Sequence, residues 1–135
     1  MHLRILAIAT AGAISTASSA TPAERDPLAV YQWESRLVVI SAPDAGDAAA
    51  RSQRAILASA RSEVTGRDVV TVEAYGDDAK AVAIRRRLGL PAGSFRAVLV
   101  GKDGEAKLIS GEPLPASTLF STIDAMPMRR GEMRR

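Results

Sequence analysis

The chain has 135 residues, 47% of them hydrophobic, with 18 basic and 15 acidic side chains, no cysteine and one histidine, His2. The missing cysteine excludes thiol oxidoreductase and peroxidase chemistry, cysteine nucleophiles and cysteine zinc sites; loss of His2 with a removable export signal would exclude histidine-based triads as well. A near-balanced charge with only 4% aromatic residues excludes a general nucleic-acid binder that tracks phosphates and stacks bases.

Arg4 precedes an apolar run, Ile5 to Ile14, and then small residues from Ser15 to Ala20. This is the pattern of an export signal over residues 1–20, cleaved after Ala20 or, alternatively, after Ala17. The run is too short for a spanning helix, which takes about 20 apolar residues. A lipid anchor needs a cysteine. The expectation is a periplasmic or secreted protein without a membrane span. Removing residues 1–20 takes one of the 18 basic residues and none of the 15 acidic ones, leaving a charge of +2 and enough chain for one domain.

Residues 21–30, rich in proline and charge, read as a flexible lead-in. Tyr31 to Ser41 ends in Leu37-Val38-Val39-Ile40, a β-branched run that predicts a central strand buried on both faces. Ala42 to Asp47 breaks it. A helix follows over about Asp47 to Val64, with Ala49, Ile56, Ala60 and Val64 on its apolar face and Gly66 as its stop. Asp68 to Tyr75 reads as a second strand. Gly76-Asp77-Asp78 caps a helix over Ala79 to Leu88, whose acidic start and Arg85-Arg86-Arg87 end suit the dipole, and Gly89 closes it. Phe95 to Val100 and Glu105 to Ile109 read as a hairpin around Lys102-Asp103-Gly104. Pro115 opens a last helix with Leu119, Phe120, Ile123 and Met126 on one stripe. Pro127 ends or restarts it, and residues 128–135 read as a basic C-terminal tail.

This α/β order, β-α-β-α-β-β-α over residues 31–127, resembles the thioredoxin fold, which implies a central four-stranded mixed sheet with flanking helices. Val98 to Glu105 is similar to the hairpin of thioredoxins and peroxiredoxins. Ala42 to Asp47 occupies the place of their reactive cysteine but holds no thiol, so their activity does not carry over. The proline that thioredoxins place just before the third strand is missing: its place falls near Arg96, and Pro91 is too early. A closer resemblance is to the DUDES-type thioredoxin-like domain of small exported bacterial proteins and sushi-repeat extracellular proteins. It rests on Trp33, Arg36 with Leu37-Val38-Val39, Arg67-Asp68, Lys102-Asp103-Gly104 and the run from Ile123 to Arg130. That resemblance implies a fold and no established activity.

Four groups of residues are candidates for function. Arg129 and Arg130 offer fork donors for an anion or a partner, with Asp124 placed to pair with one of them; the alternative is a solvated basic tail. Asp44, Asp47 and Arg96 gather at the former cysteine position, as a polar ligand site or as a helix cap with a surface ion pair. Met126, Met128 and Met133 are thioethers of the kind that hold Cu(I), or core fillers. Trp33 and Arg36 flank the start of the first strand, Trp33 as a core or edge anchor and Arg36 as a partner for Glu73 or Asp124. The reading is a non-redox binding module with no cofactor and an envelope or extracellular protein partner, contacted through the arginine-rich C-terminus. The alternative is an enzyme or small-ligand binder using Asp44, Asp47 and Arg96.

Overall fold

The computed structural model describes residues 26–135. The expected signal and residues 21–25 of the lead-in lie outside the described residues. The described end of the lead-in is packed: the Asp26 carboxylate accepts from the Leu28 backbone N–H at 2.9 Å, Leu28 is buried, and a 3-10 turn follows over Ala29–Tyr31.

Strand β1 (Arg36–Ala42) is buried along its whole length, as an apolar run without alternation requires. It pairs in parallel with β2 (Val69–Tyr75) and antiparallel with β3 (Arg96–Val100), and β3 pairs antiparallel with β4 (Ala106–Ser110). The order β2-β1-β3-β4, flanked by helices, is a mixed α/β fold of thioredoxin-like arrangement. Val38 and Ile40 face α1 (Ala48–Ser59), α2 (Arg61–Gly66) and α4 (Ala116–Asp124). Leu37 and Val39 face α3 (Ala79–Leu88) on the opposite side.

The capping chemistry behaves as the sequence predicts. Asp47 and Asp78 accept from the N–H groups of Ala50 and Ala81 at 3.0 and 2.7 Å, and Gly89 closes α3 at φ 68°. Elsewhere the structure departs from the expectation. The single helix over 47–64 is broken at Ala60, whose φ of −119° is not helical. Its buried face is Ala50, Gln53 and Leu57, one residue round from the predicted stripe. The difference comes from Gln53. Its amide is fully buried because it donates to the Leu114 carbonyl at 3.1 Å and accepts from the Leu114 N–H at 2.7 Å. Hydrophobic periodicity cannot see a polar residue buried to satisfy a distant loop.

Trp33 is neither a core anchor nor part of a strand. It lies in the turn before β1, 61% exposed, with φ 67°. Pro127 restarts the chain as a short helix, α5 (Pro127–Met133), that buries none of its own residues. Among the described residues no helix is long and apolar enough to cross a membrane.

Candidate functional site

The end of the sheet beyond β1 carries the loop from Ala42 to Asp47. There Asp44 accepts from the Gly46 N–H at 2.8 Å, and Asp47 caps α1. Arg96 stands opposite Ser41 in the ladder, which places it at the same end. Its guanidinium donates to the Phe95 carbonyl at 2.7 Å and the Ser94 hydroxyl at 3.2 Å. Among the described residues, none of Asp44, Asp47 and Arg96 makes an ion pair. The three share an edge of the fold, but each is engaged with local groups.

The opposite end of β1 is where the polar chemistry converges. Arg36 is the first residue of the central strand, so the start of β2 and the end of β3 flank it: Arg36 stands opposite Val69, and Leu37 opposite Val100. Its side chain has no exposed surface. One terminal nitrogen, Nη1, donates to the Arg67 carbonyl at 2.9 Å and to Glu132 Oε2 at 3.1 Å, while Nη2 donates to Glu132 Oε1 at 3.3 Å. Glu132, carried in by α5, also accepts from Lys102 Nζ at 2.5 Å, and Lys102 donates in turn to Asp68 at 2.9 Å. The partner of Arg36 is therefore Glu132, and neither Glu73 nor Asp124 as anticipated. The Arg36 Nε–H is buried and has no acceptor.

A second node adjoins the first. Arg67 grips Asp124 with two parallel hydrogen bonds, at 3.0 and 2.9 Å, and its guanidinium lies 4.3 Å from the centre of the Phe120 ring. Arg129 donates to Asp124 at 3.3 Å and to the Gly66 carbonyl at 3.1 Å, and stands 3.6 Å from Glu132. The expected pairing of Asp124 with a C-terminal arginine is present, through Arg129. Arg130 is exposed and, among the described residues, makes no ion pair.

The field at this end favours the charged forms. Burial works against ionisation of Glu132, but the hydrogen bonds from Lys102 and Arg36 outweigh it and hold the carboxyl below its ordinary range. For Lys102, burial again opposes the charge, and Glu132 and Asp68 overcome it, so the ammonium is held to higher pH. The Arg67 hydrogen bonds lower Asp124, with Arg129 assisting against burial.

Two open spaces border the network. A cavity of about 70 Å³ lies between the hairpin and the start of α5, against Arg36, Lys102, Lys107, Met126 and Met128. The structure thus brings two of the three thioethers to one wall, while Met133 is half exposed and does not line it. A wider cleft of about 470 Å³ is bordered by Trp33, Asp68, Lys102, Met128, Glu132 and Arg135. Trp33 and Asp68 are the non-glycine residues with positive φ among the described ones, 67° and 53°, and both lie here. Side chains rarely adopt that region, and such residues gather where surrounding structure fixes a particular geometry. For Trp33 the fixing contact is its backbone N–H, which donates to the Lys102 carbonyl at 2.6 Å.

Sequence reasoning named Arg36, Trp33, Asp124 and Arg129 but missed Glu132, which joins them. One signal was present: Glu132 is the single acidic residue in the otherwise basic stretch 128–135. Lys102 passed as a turn residue, since nothing local distinguishes a buried lysine from a solvated one. Among the described residues no cluster of three or more histidine, cysteine or acidic side chains is placed to hold a metal ion.

Neither the curated proteins nor the solved structures hold a match to this chain. A family model, described as Domain of unknown function (DUF4174), matches residues 27–132, a span that contains the sheet and every member of the Arg36 and Asp124 networks, and the chain belongs to that family.

Proposed function

We propose that this protein is a non-catalytic, thioredoxin-like binding module of the DUDES type, exported after loss of residues 1–20, whose partner contacts the C-terminal face of the domain. The observation that carries this reading is Trp33. A tryptophan 61% exposed and held at φ 67° by the hairpin backbone is costly to place there for stability alone. Beside it lie Met128, itself exposed, and Arg135. Rigid aromatic side chains with arginine nearby are the residue types that dominate binding energy at protein interfaces. Arg130 is an exposed charge on the same short helix, and Arg129 and Asp124 order the helix that carries it.

The alternative, chemistry at Asp44, Asp47 and Arg96, has weaker support, because a turn, a cap and a backbone carbonyl already occupy these side chains. The test is crosslinking capture from an envelope extract. The chain from residue 21 serves as one bait and its Trp33→Ala, Arg130→Ala variant as a second. A protein captured by the first and lost from the second supports the module. Identical captures, or none, refute it.

A further inference from the structure

The Glu132 carboxylate occupies an arrangement that is, in chemical terms, a carboxylate receptor. Two terminal nitrogens of Arg36 donate to its two oxygens at 3.1 and 3.3 Å, and Lys102 adds a third donor at 2.5 Å. Forked guanidinium recognition supplemented by an ammonium is how proteins bind carboxylates from other molecules. Here the occupant comes from the same chain, on a short helix that buries none of its residues. Glu132 also has somewhere else to go: Arg129, one turn earlier on the same helix, is 3.6 Å away. A rotation of one side chain would therefore exchange Glu132 from Arg36 and Lys102 to Arg129 without moving the helix.

The route in is open. The cleft bordered by Trp33, Met128 and Arg135 ends on Glu132 and Lys102. Arg36 lies behind them, and its unpartnered Nε leaves donor capacity that one carboxylate does not use. Among the described residues, Arg135 at the border of the cleft is exposed and makes no ion pair, and Lys102 adds a second positive charge beside the half-exposed Asp68.

We infer that this cleft binds an acidic peptide segment of a partner, one aspartate or glutamate of which replaces Glu132 on Arg36 and Lys102 while an adjacent apolar side chain packs on Trp33 and Met128. The inference rests on the binding-module reading and names the chemistry of its partner. Glu132 then acts as an internal competitor, setting a threshold that only a segment with a well-placed carboxylate passes.

Trp33 is the single tryptophan of the chain, so its emission reports directly on the cleft. The experiment titrates the purified chain from residue 21 with a short peptide of glutamate, aspartate and leucine, and separately with its glutamine and asparagine counterpart. The acidic peptide is expected to shift Trp33 emission in a saturable, salt-sensitive way, and the amide peptide is not. Glu132→Gln, which removes the competitor, is expected to tighten binding by about tenfold, and Lys102→Met to weaken it by at least as much. Equal response to both peptides, or unchanged or weaker binding in Glu132→Gln with a native circular dichroism spectrum, overturns the inference. So does a shift produced by anionic phospholipid vesicles and not by the peptide. Should Glu132→Gln fail to fold, the comparison of the two peptides on the unmodified chain decides. Capture that depends on Trp33 but is not competed by the acidic peptide sinks this inference alone; finding no capture that depends on Trp33 sinks the binding module itself.

Discussion

Arg36 takes a full charge to a position with no exposed surface, where desolvation costs several kcal/mol that only well-formed partners offset. Its two terminal nitrogens have such partners in Glu132 and the Arg67 carbonyl. Removing one side of a buried pair leaves the other uncompensated, so Glu132→Gln, which strands the Arg36 charge, is expected to destabilise the protein by about 3–5 kcal/mol in urea unfolding. Arg36→Ala leaves Glu132 with Lys102 and Arg129 as neighbours, which makes it the milder electrostatic change. If the two residues act as a pair, the double variant Arg36→Ala, Glu132→Gln will lose less than the sum of the single losses, by roughly 0.5–3 kcal/mol. Strict additivity would show that the pair is not coupled. Trp33 carries the opposite signature: its side chain is largely solvated, so Trp33→Ala is expected to alter binding far more than stability.

At the scale of elements, small features decide how helices and loops meet. Gly89 ends α3 at φ 68°, and a Cβ added there would meet nothing within 4 Å. Gly89→Ala therefore isolates the backbone term and is expected to cost about 1–2 kcal/mol, read as a shift in the urea midpoint without a change in slope. Gln53 joins α1 to the segment before α4 through both backbone groups of Leu114. Gln53→Leu preserves approximate volume but orphans a buried N–H and a buried carbonyl, at roughly 1–3 kcal/mol each. Faster amide exchange at Leu114 in that variant is the local measurement that checks it. The break at Ala60 divides the helix expected over 47–64 into two.

For the whole molecule, the ion network sets the response to pH. Glu132 and Asp124 have folded-state values below their ordinary 4.5 and 3.8. Their contribution to stability is complete above those ordinary values and is lost as pH falls through the depressed ones. Lys102 is raised above 10.5, so its contribution is complete below that value and disappears as pH rises through the raised one. Stability is expected to hold across the neutral range and decline toward about pH 3. The Asp124→Asn, Glu132→Gln double variant is expected to start lower and show a shallower acid decline. Urea midpoints at neutral pH and about pH 3 test this, and parallel declines in the two proteins would assign the acid lability to other carboxylates.

The sequence alone determined the class of fold, because that information is local. The unbroken apolar run Leu37 to Ile40, the caps at Asp47 and Asp78, the stop at Gly89 and the Asp103-Gly104 turn each act within a few residues, and their order leaves few ways to bury both faces of β1. The same text excluded thiol chemistry outright, since a missing residue needs no structure to interpret. What tertiary structure alone decided was which charges meet. Arg36 and Glu132 lie 96 positions apart, and Gln53 and Leu114 are 61 apart. No periodicity or spacing links such pairs; only the fold, which lays the segment after β4 against α1 and carries Glu132 of α5 to the start of β1, brings them within hydrogen-bond reach. Coulombic and hydrogen-bond energies depend on distance in space, so a lysine in a turn and a glutamate in a basic tail look ordinary until the chain folds, pairs them and sets the glutamate on a buried arginine.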